Sequence, residues 1–277
     1  MTYSIYHFFK TLVDKKDKFK TIKFLEGFPF EKKLIACRNL GVFPDLAIKL
    51  NKDKKVFTGG ELIELKDSKT YTVSSFNSTI PTRKKDISHI ITGEGSNIKQ
   101  QMIAAGDDIN SLQIRDVYYL VRGKKKDKIK VCLVFGSFFE TITVENLIGL
   151  SFLQVLDEKL AEDKTEISED VKATLLKLLS QQNNFSRVRN IDKASVKLRF
   201  RIMTEVKAEG NILNSSKYPE IIDNTLNLII PCHNDQDEKN VKDKFEMVFG
   251  MSLLKQFNIL KIKHHFNGYF LVFQTTL

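Results

Sequence analysis

Two carboxylates and a lysine occur at a spacing that could do chemistry. A proline precedes the first carboxylate at Pro44-Asp45, and the second lies two positions before a lysine at Glu64-Leu65-Lys66. Because side chains alternate between the two faces of a strand, Glu64 and Lys66 share a face if this segment is extended. If the segment that begins at Asp45 pairs with it, two carboxylates and an ammonium group converge at one edge of a sheet.

This set of side chains suits the hydrolysis of a phosphodiester. Paired carboxylates without a neighbouring Cys or His favour a hard, oxygen-seeking cation such as Mg²⁺. Such a cation polarises the phosphoryl oxygen, offsets charge on the leaving oxygen and lowers the pKa of bound water. A lysine beside it can position or deprotonate the attacking water, or stabilise the developing negative charge. We therefore expect Asp45 and Glu64 to be metal ligands and Lys66 to be a catalytic residue.

The elements that must position these residues are read from hydrophobic periodicity and turn signals. Strands are predicted at Asp45–Leu50, Val56–Leu65, Tyr71–Phe76, Asp116–Val121, Ile129–Phe135 and Ser195–Val206, with a polar turn at Asn51–Lys55 and a terminal hairpin at Asn267-Gly268. Helices are predicted within residues 3–40, as two helices separated by Gly27 and Pro29 of which the second is Phe30–Leu40, and at Asn97–Ala105, 144–156, Ser168–Ser180 and 239–254. The expected fold class is mixed α/β (α+β).

The pattern Pro44-Asp45 and Glu64-x-Lys66 resembles that of the PD-(D/E)xK nuclease family, over about residues 26–135. The resemblance implies a restriction-endonuclease-like core, in which a mixed central sheet in α-β-β-β-α-β order is flanked by helices. It also implies a further acidic residue before the Asp45 strand, for which Glu31 is the first candidate and Glu26 the second. Within this family, the size of the chain favours a type II restriction endonuclease.

Other interpretations of the same stretch remain open at this level. Glu61 and Asp67 are alternative carboxylates, and Gly59-Gly60 suggests a bulge that would change which side chains face the site. The motif could also be an exposed Pro-Asp turn followed by a charged edge strand, whose Glu and Lys pair across solvent.

The charge of the chain is distributed unevenly. Residues 1–130 carry 26 Lys and Arg against 15 Asp and Glu, a net charge of +11, whereas residues 131–277 carry 18 against 19, a net charge of −1. This asymmetry indicates a polyanion partner for the first half, with nucleic acid favoured over an anionic membrane surface. Cations, hydroxyls and amides can bind phosphates or base edges. The candidate DNA-binding residues are Lys69, Ser75, Asn77, Arg83, Lys84, Lys85, Lys99, Gln100 and Gln101.

The composition is that of an ordinary globular chain, with 42% hydrophobic and 28% charged residues. No run approaches the roughly 18 apolar residues of a membrane span. The 3 cysteines are far apart, which is typical of a reduced intracellular protein. We expect a cytoplasmic protein of a bacterium or archaeon. A catalytic core with a basic, DNA-facing surface is expected at 1–140, and a helical and β-hairpin region at 141–277 for DNA recognition, dimerisation or both, either as a separate region or as part of one continuous domain.

The function predicted from the sequence is that of a Mg²⁺-dependent type II restriction endonuclease. It would cleave double-stranded DNA at a short site as a homodimer, and a DNA methyltransferase would be its genetic partner because host DNA needs protection. Two alternatives stay open: a structure-specific repair or recombination nuclease of the same superfamily, and a non-catalytic nucleic-acid-binding protein.

Overall fold

A computed structural model of the chain describes residues 4–38, 43–50, 59–73, 76–77, 81–91, 97–140, 144–180, 189–193, 196–199, 203–204 and 207–277. The helices are α1 (Ser4–Asp14), α2 (Lys18–Thr21), α3 (Asn97–Ala104), α4 (Val144–Asp163), α5 (Glu169–Ser180), α6 (Asp235–Phe249) and α7 (Met251–Leu254). The strands are β1 (Ile35–Arg38), β2 (Leu46–Ile48), β3 (Leu62–Ser68), β4 (Phe76–Asn77), β5 (Lys84–Asp86), β6 (Ile114–Lys125), β7 (Lys128–Phe135), β8 (Arg189–Lys193), β9 (Val196–Arg199), β10 (Met203–Thr204), β11 (Thr225–Pro231), β12 (Asn258–His264) and β13 (Gly268–Thr276).

The chain divides into two compact units, and the division differs from the predicted split at 140/141. The first unit comprises Met1–Ser74, Arg83–Phe139 and Val206–Leu277, and the second comprises Ser75–Thr82 and Glu140–Glu205. The carboxy-terminal segment therefore belongs with the first unit. It does so because its strands extend the sheet that the amino-terminal residues begin.

The first unit is built on a mixed sheet of nine strands, which confirms the predicted α+β class. Its order is β1-β2-β3-β6-β7-β11-β13-β12, and β5 pairs with β6 beside this path. The pairs β3–β6 and β7–β11 are parallel, and the other pairs along the path are antiparallel. In the second unit, α4 and α5 accompany two small antiparallel pairs, β4–β10 and β8–β9.

One face of the large sheet carries the main hydrophobic core. Alternate residues of the central strands, such as Ile63 and Leu65, are buried there with aromatic side chains of α1 and α6. The rings of Phe9 and Phe245 lie 6.4 Å apart across these two helices. Because side chains alternate along a strand, residues adjacent to Ile63 and Leu65 must point to the opposite face.

Several predicted elements are confirmed and others are wrong. The first helix, the Asn97–Ala105 helix, the two strands that form the β6–β7 hairpin, the helices of 144–180 and the terminal hairpin all occur. The predicted Phe30–Leu40 helix is wrong, because residues 35–38 form β1 and pair with β2. A short apolar run fits a buried strand as well as a helix, and only pairing decides between them. Of the predicted Tyr71–Phe76 strand, residues 71–73 are not extended into a strand and Phe76 begins β4, while residues 74–75 and Asn51–Lys55 lie outside the described residues.

Candidate active site

Strands β2 and β3 bring the two carboxylates together. Leu46 pairs with Ile63 and Ala47 with Leu62, in antiparallel register. One step further along the same ladder, Asp45 falls opposite Glu64, and residues directly opposite each other share a face. Since Ile63 and Leu65 point into the main core, the two carboxylates and Lys66 lie on the other face of the sheet.

The glycine pair before β3 does not disturb this register. Gly59 and Gly60 precede the strand and have φ values of 92° and 105°, which L side chains rarely adopt. A Cβ atom at Gly59 would stand 2.0 Å from the carbonyl oxygen of Lys49, so glycine is needed where the chain passes close to β2. The predicted bulge is absent from the described β2–β3 ladder, which pairs without a shift.

Hydrogen bonds orient each of the three side chains. The backbone N–H of Leu65 donates to Asp45 Oδ2 at 2.7 Å. Lys66 Nζ donates to Glu64 Oε1 at 2.9 Å, and the two side chains are 20% and 10% exposed. Glu64 Oε2 is buried, and no hydrogen-bond partner for it occurs among the described residues. The site therefore retains an acceptor that a bound cation or its water could use.

The electrostatics of the site show an excess of negative charge. Burial and the neighbouring Glu64 carboxylate raise the pKa of Asp45 to about 7. The Leu65 N–H and Lys66 act in the opposite direction, but they do not offset the first two causes. Two carboxylates that face one ammonium group disfavour each other's ionisation, and a divalent cation would relieve this repulsion.

Of the two further acidic candidates, Glu26 is the one that acts on Asp45. It lies in the 3-10 turn Leu25–Gly27 beside β3, and its charge also raises the pKa of Asp45. Glu31 instead accepts a 3.3 Å hydrogen bond from the N–H of Lys33 within its own exposed turn. Glu26 is therefore close enough to contribute to the raised pKa of Asp45, whereas Glu31 has a local role.

The two alternative carboxylates have structural partners. Glu61 accepts a hydrogen bond from the Ser4 hydroxyl of α1. Asp67 forms an ion pair with Arg122, whose guanidinium is fully buried. Sequence reasoning did not find Arg122, because its partner lies 55 positions away and is brought close only by parallel pairing of β3 with β6.

The predicted DNA-binding residues lie on several different elements. Lys69 is exposed just after β3, Arg83 and Lys84 are exposed at β5, and Lys85 Nζ lies 5.9 Å from the ring centroid of Phe43. On α3, Lys99 and Gln100 are exposed and Gln101 is half-buried. Asn77 pairs with Met203 in the second unit, and Ser75 lies outside the described residues. Lys85 is therefore near the candidate site, since Phe43 lies two residues before Asp45.

The donor set fits a hard divalent cation held partly by the protein. Within the part of the chain that the structure describes, no cluster of three or more His, Cys, Asp or Glu side chains is poised to hold a metal. Mg²⁺ usually keeps several waters and takes one or two carboxylates together with substrate phosphates. The Asp45–Glu64 pair, with the unsatisfied Glu64 Oε2, meets that requirement.

Comparison of the chain with protein-family models, with curated proteins and with solved structures gives no match. Among the described residues, no helix is long and apolar enough to cross a membrane.

Proposed function

We propose that the chain is a Mg²⁺-dependent endodeoxyribonuclease of the PD-(D/E)xK type. The observation that carries the proposal is the convergence of Asp45 and Glu64 on one sheet face, with Lys66 alongside and with a buried acceptor that has no partner in the described part of the chain. Asp45 and Glu64 would hold the cation, and Mg²⁺, when bound, would supply Lewis-acid activation of a phosphodiester.

The side chains of this site have separable tasks. Lys66 is held by Glu64 Oε1 and is partly exposed, so its ammonium can donate to the attacking water or to a phosphate oxygen. The Leu65 N–H fixes the orientation of the Asp45 carboxylate. A proton on Asp45 competes with a cation, so cleavage is expected to increase as the pH rises through about 7.

The direct test is digestion of plasmid and phage DNA by the purified chain, with Mg²⁺ or with EDTA. We expect cleavage only with Mg²⁺, and a loss of about 100-fold or more for Asp45→Asn and Lys66→Ala while DNA binding persists. Asp14→Asn changes an exposed carboxylate at the end of α1 and is the matched control. Absence of cleavage on every DNA tested, or full cleavage by Asp45→Asn, would overturn the proposal.

The fragments distinguish the two nuclease hypotheses. Discrete bands would support the type II restriction endonuclease predicted from the sequence, acting as a homodimer on double-stranded DNA with a methyltransferase partner. Cleavage restricted to branched or partly single-stranded substrates would support the structure-specific repair or recombination nuclease. Binding with steep salt dependence and without cleavage would instead support the non-catalytic alternative.

A further inference from the structure

An exposed aromatic ring lies between α2 and the 3-10 turn beside β3. Phe24 is 55% exposed and directly precedes the 3-10 turn that carries Glu26. The N–H of Gly27 donates to the Phe24 carbonyl at 3.0 Å, and the N–H of Leu25 donates to Asp67 Oδ2 at 3.2 Å. These bonds hold the backbone around Phe24 in a turn and attach that turn to the end of β3.

A lysine lies next to this ring, and other exposed lysines occur in the segments joined to it. Lys23 Nζ lies 5.4 Å from the centroid of the Phe24 ring. Further exposed lysines lie on α2 and in the β6–β7 turn, and together with Lys23 they make up what we term the basic cluster: Lys18, Lys20, Lys23, Lys125 and Lys126. Asp17 and Asp127 lie in the same stretches, which leaves a net charge of +3 for these seven residues.

The two stretches of the basic cluster are held together by specific bonds. Arg122 donates to the carbonyl oxygens of Phe19 and Ile22 at 3.0 and 3.2 Å. Lys124 Nζ donates to the Ile22 carbonyl at 2.9 Å. The segment that contains α2 and Phe24 is therefore fastened to the end of β6, about a hundred positions away in sequence. Within this segment, Lys20 Nζ donates to the Leu277 carbonyl oxygen at 2.6 Å.

We propose that Phe24 and the basic cluster bind a nucleic-acid strand that carries an unstacked base. The base would stack on the Phe24 ring, and the lysines would bind the flanking phosphates. The charge complementarity favours a polyanion over a protein partner. A continuous duplex keeps its bases stacked on each other, so the ring selects single strands and junctions. This inference rests on the proposed nuclease function and specifies its substrate class.

The first test measures binding in an Asp45→Asn background, in EDTA, with 2-aminopurine placed at the junction of a duplex and a single-stranded arm. We expect Phe24→Ala to weaken binding of the junction and of the single strand by roughly 5- to 100-fold, and to reduce quenching of 2-aminopurine. Binding of a continuous duplex should change by less than about twofold, and Phe24→Tyr should restore the junction affinity.

The matched control is Phe266→Ala, which removes a ring that is 62% exposed in the β12–β13 turn. Unchanged junction binding by Phe24→Ala, or an equal loss on duplex and junction, would overturn the inference.

The second test changes the charge. The slope of log Kd against log salt concentration should decrease by roughly 2 for single strands when Lys18, Lys20 and Lys23 are replaced by Gln. An unaltered salt dependence would contradict the role of the cluster.

These assays separate the two proposals. If Phe24→Ala loses binding but the unsubstituted chain cuts no DNA, the nuclease proposal fails and the binding surface stands. If the unsubstituted chain cuts DNA and Phe24→Ala binds and cuts as well, the nuclease proposal stands and the inference from Phe24 fails.

Discussion

Strand β3 takes part in two clusters of oppositely charged side chains, and they differ in whether every carboxylate oxygen has a hydrogen-bond partner. On one face, Asp45 and Glu64 share the single ammonium of Lys66, and Glu64 Oε2 lacks a partner among the described residues. On the other face, Arg122 Nε donates to Asp67 Oδ1 at 2.8 Å. The remaining guanidinium donors of Arg122 reach Asp67 and backbone carbonyls of the α2 segment.

The difference separates a structural ion pair from a candidate chemical site. Arg122 is completely buried and its five donors have acceptors, so the pair fastens the amino-terminal segment to the sheet. The Asp45–Glu64 site instead keeps repulsion between two carboxylates, which adds to the larger effect of burial in raising the pKa of Asp45. Retained repulsion lowers stability, and such a cost is typical of positions at which a ligand supplies the missing charge.

Replacing a carboxylate by an amide should therefore change the free energy of unfolding in opposite directions at Asp67 and at Asp45. We expect the larger effect for Asp67→Asn, because it leaves the buried Arg122 guanidinium without a counter-charge. The free energy of unfolding should decrease by about 2–3 kcal/mol, measured by urea denaturation at neutral pH. A change below about 0.5 kcal/mol would show that the backbone carbonyls alone are enough to hold the guanidinium.

Asp45→Asn should stabilise the chain when metal is absent. The pKa of Asp45 is raised above its ordinary 3.8 in the folded chain, so the ionised carboxylate destabilises the fold at high pH. The shift to about 7 corresponds to at most about 4 kcal/mol, and partial exposure reduces this to about 1–3 kcal/mol. The increase in the free energy of unfolding caused by Asp45→Asn should be full at pH 8 in EDTA. It should decrease as the pH falls through about 7 and disappear near pH 4.

Urea denaturation of both proteins across this pH range provides the measurement. A pH-independent difference would contradict the assignment of the repulsion to Asp45.

The smallest expected effect distinguishes the two acidic candidates. Glu26→Gln removes a charge that raises the pKa of Asp45, so this pKa should fall by less than about one pH unit, or about 1.4 kcal/mol. Glu31→Gln should leave it unchanged. The pKa of Asp45 can be measured in each variant by carboxyl NMR titration. An equal change of this pKa in both variants would contradict the conclusion that Glu26, and not Glu31, acts on Asp45.

The proximity of the three candidate residues follows from the sequence more closely than the elements around them do. Asp45, Glu64 and Lys66 were placed together because strand alternation and a single antiparallel pairing were enough to align them. The Phe30–Leu40 helix was wrong because β1 depends on pairing with β2, which periodicity does not report. Strand β11 was missed, although it pairs with both β7 and β13 in the middle of the sheet.

The sequence by itself determined the α+β class, the main helices and hairpins and the three residues of the candidate site, since these follow from local patterns. The tertiary structure alone decided that Glu26 rather than Glu31 acts on Asp45, that Asp67 is bound by Arg122, and that the segment with Phe24 is fastened to the end of β6. These outcomes depend on strand order and on contacts between distant residues, and neither spacing nor composition contains them.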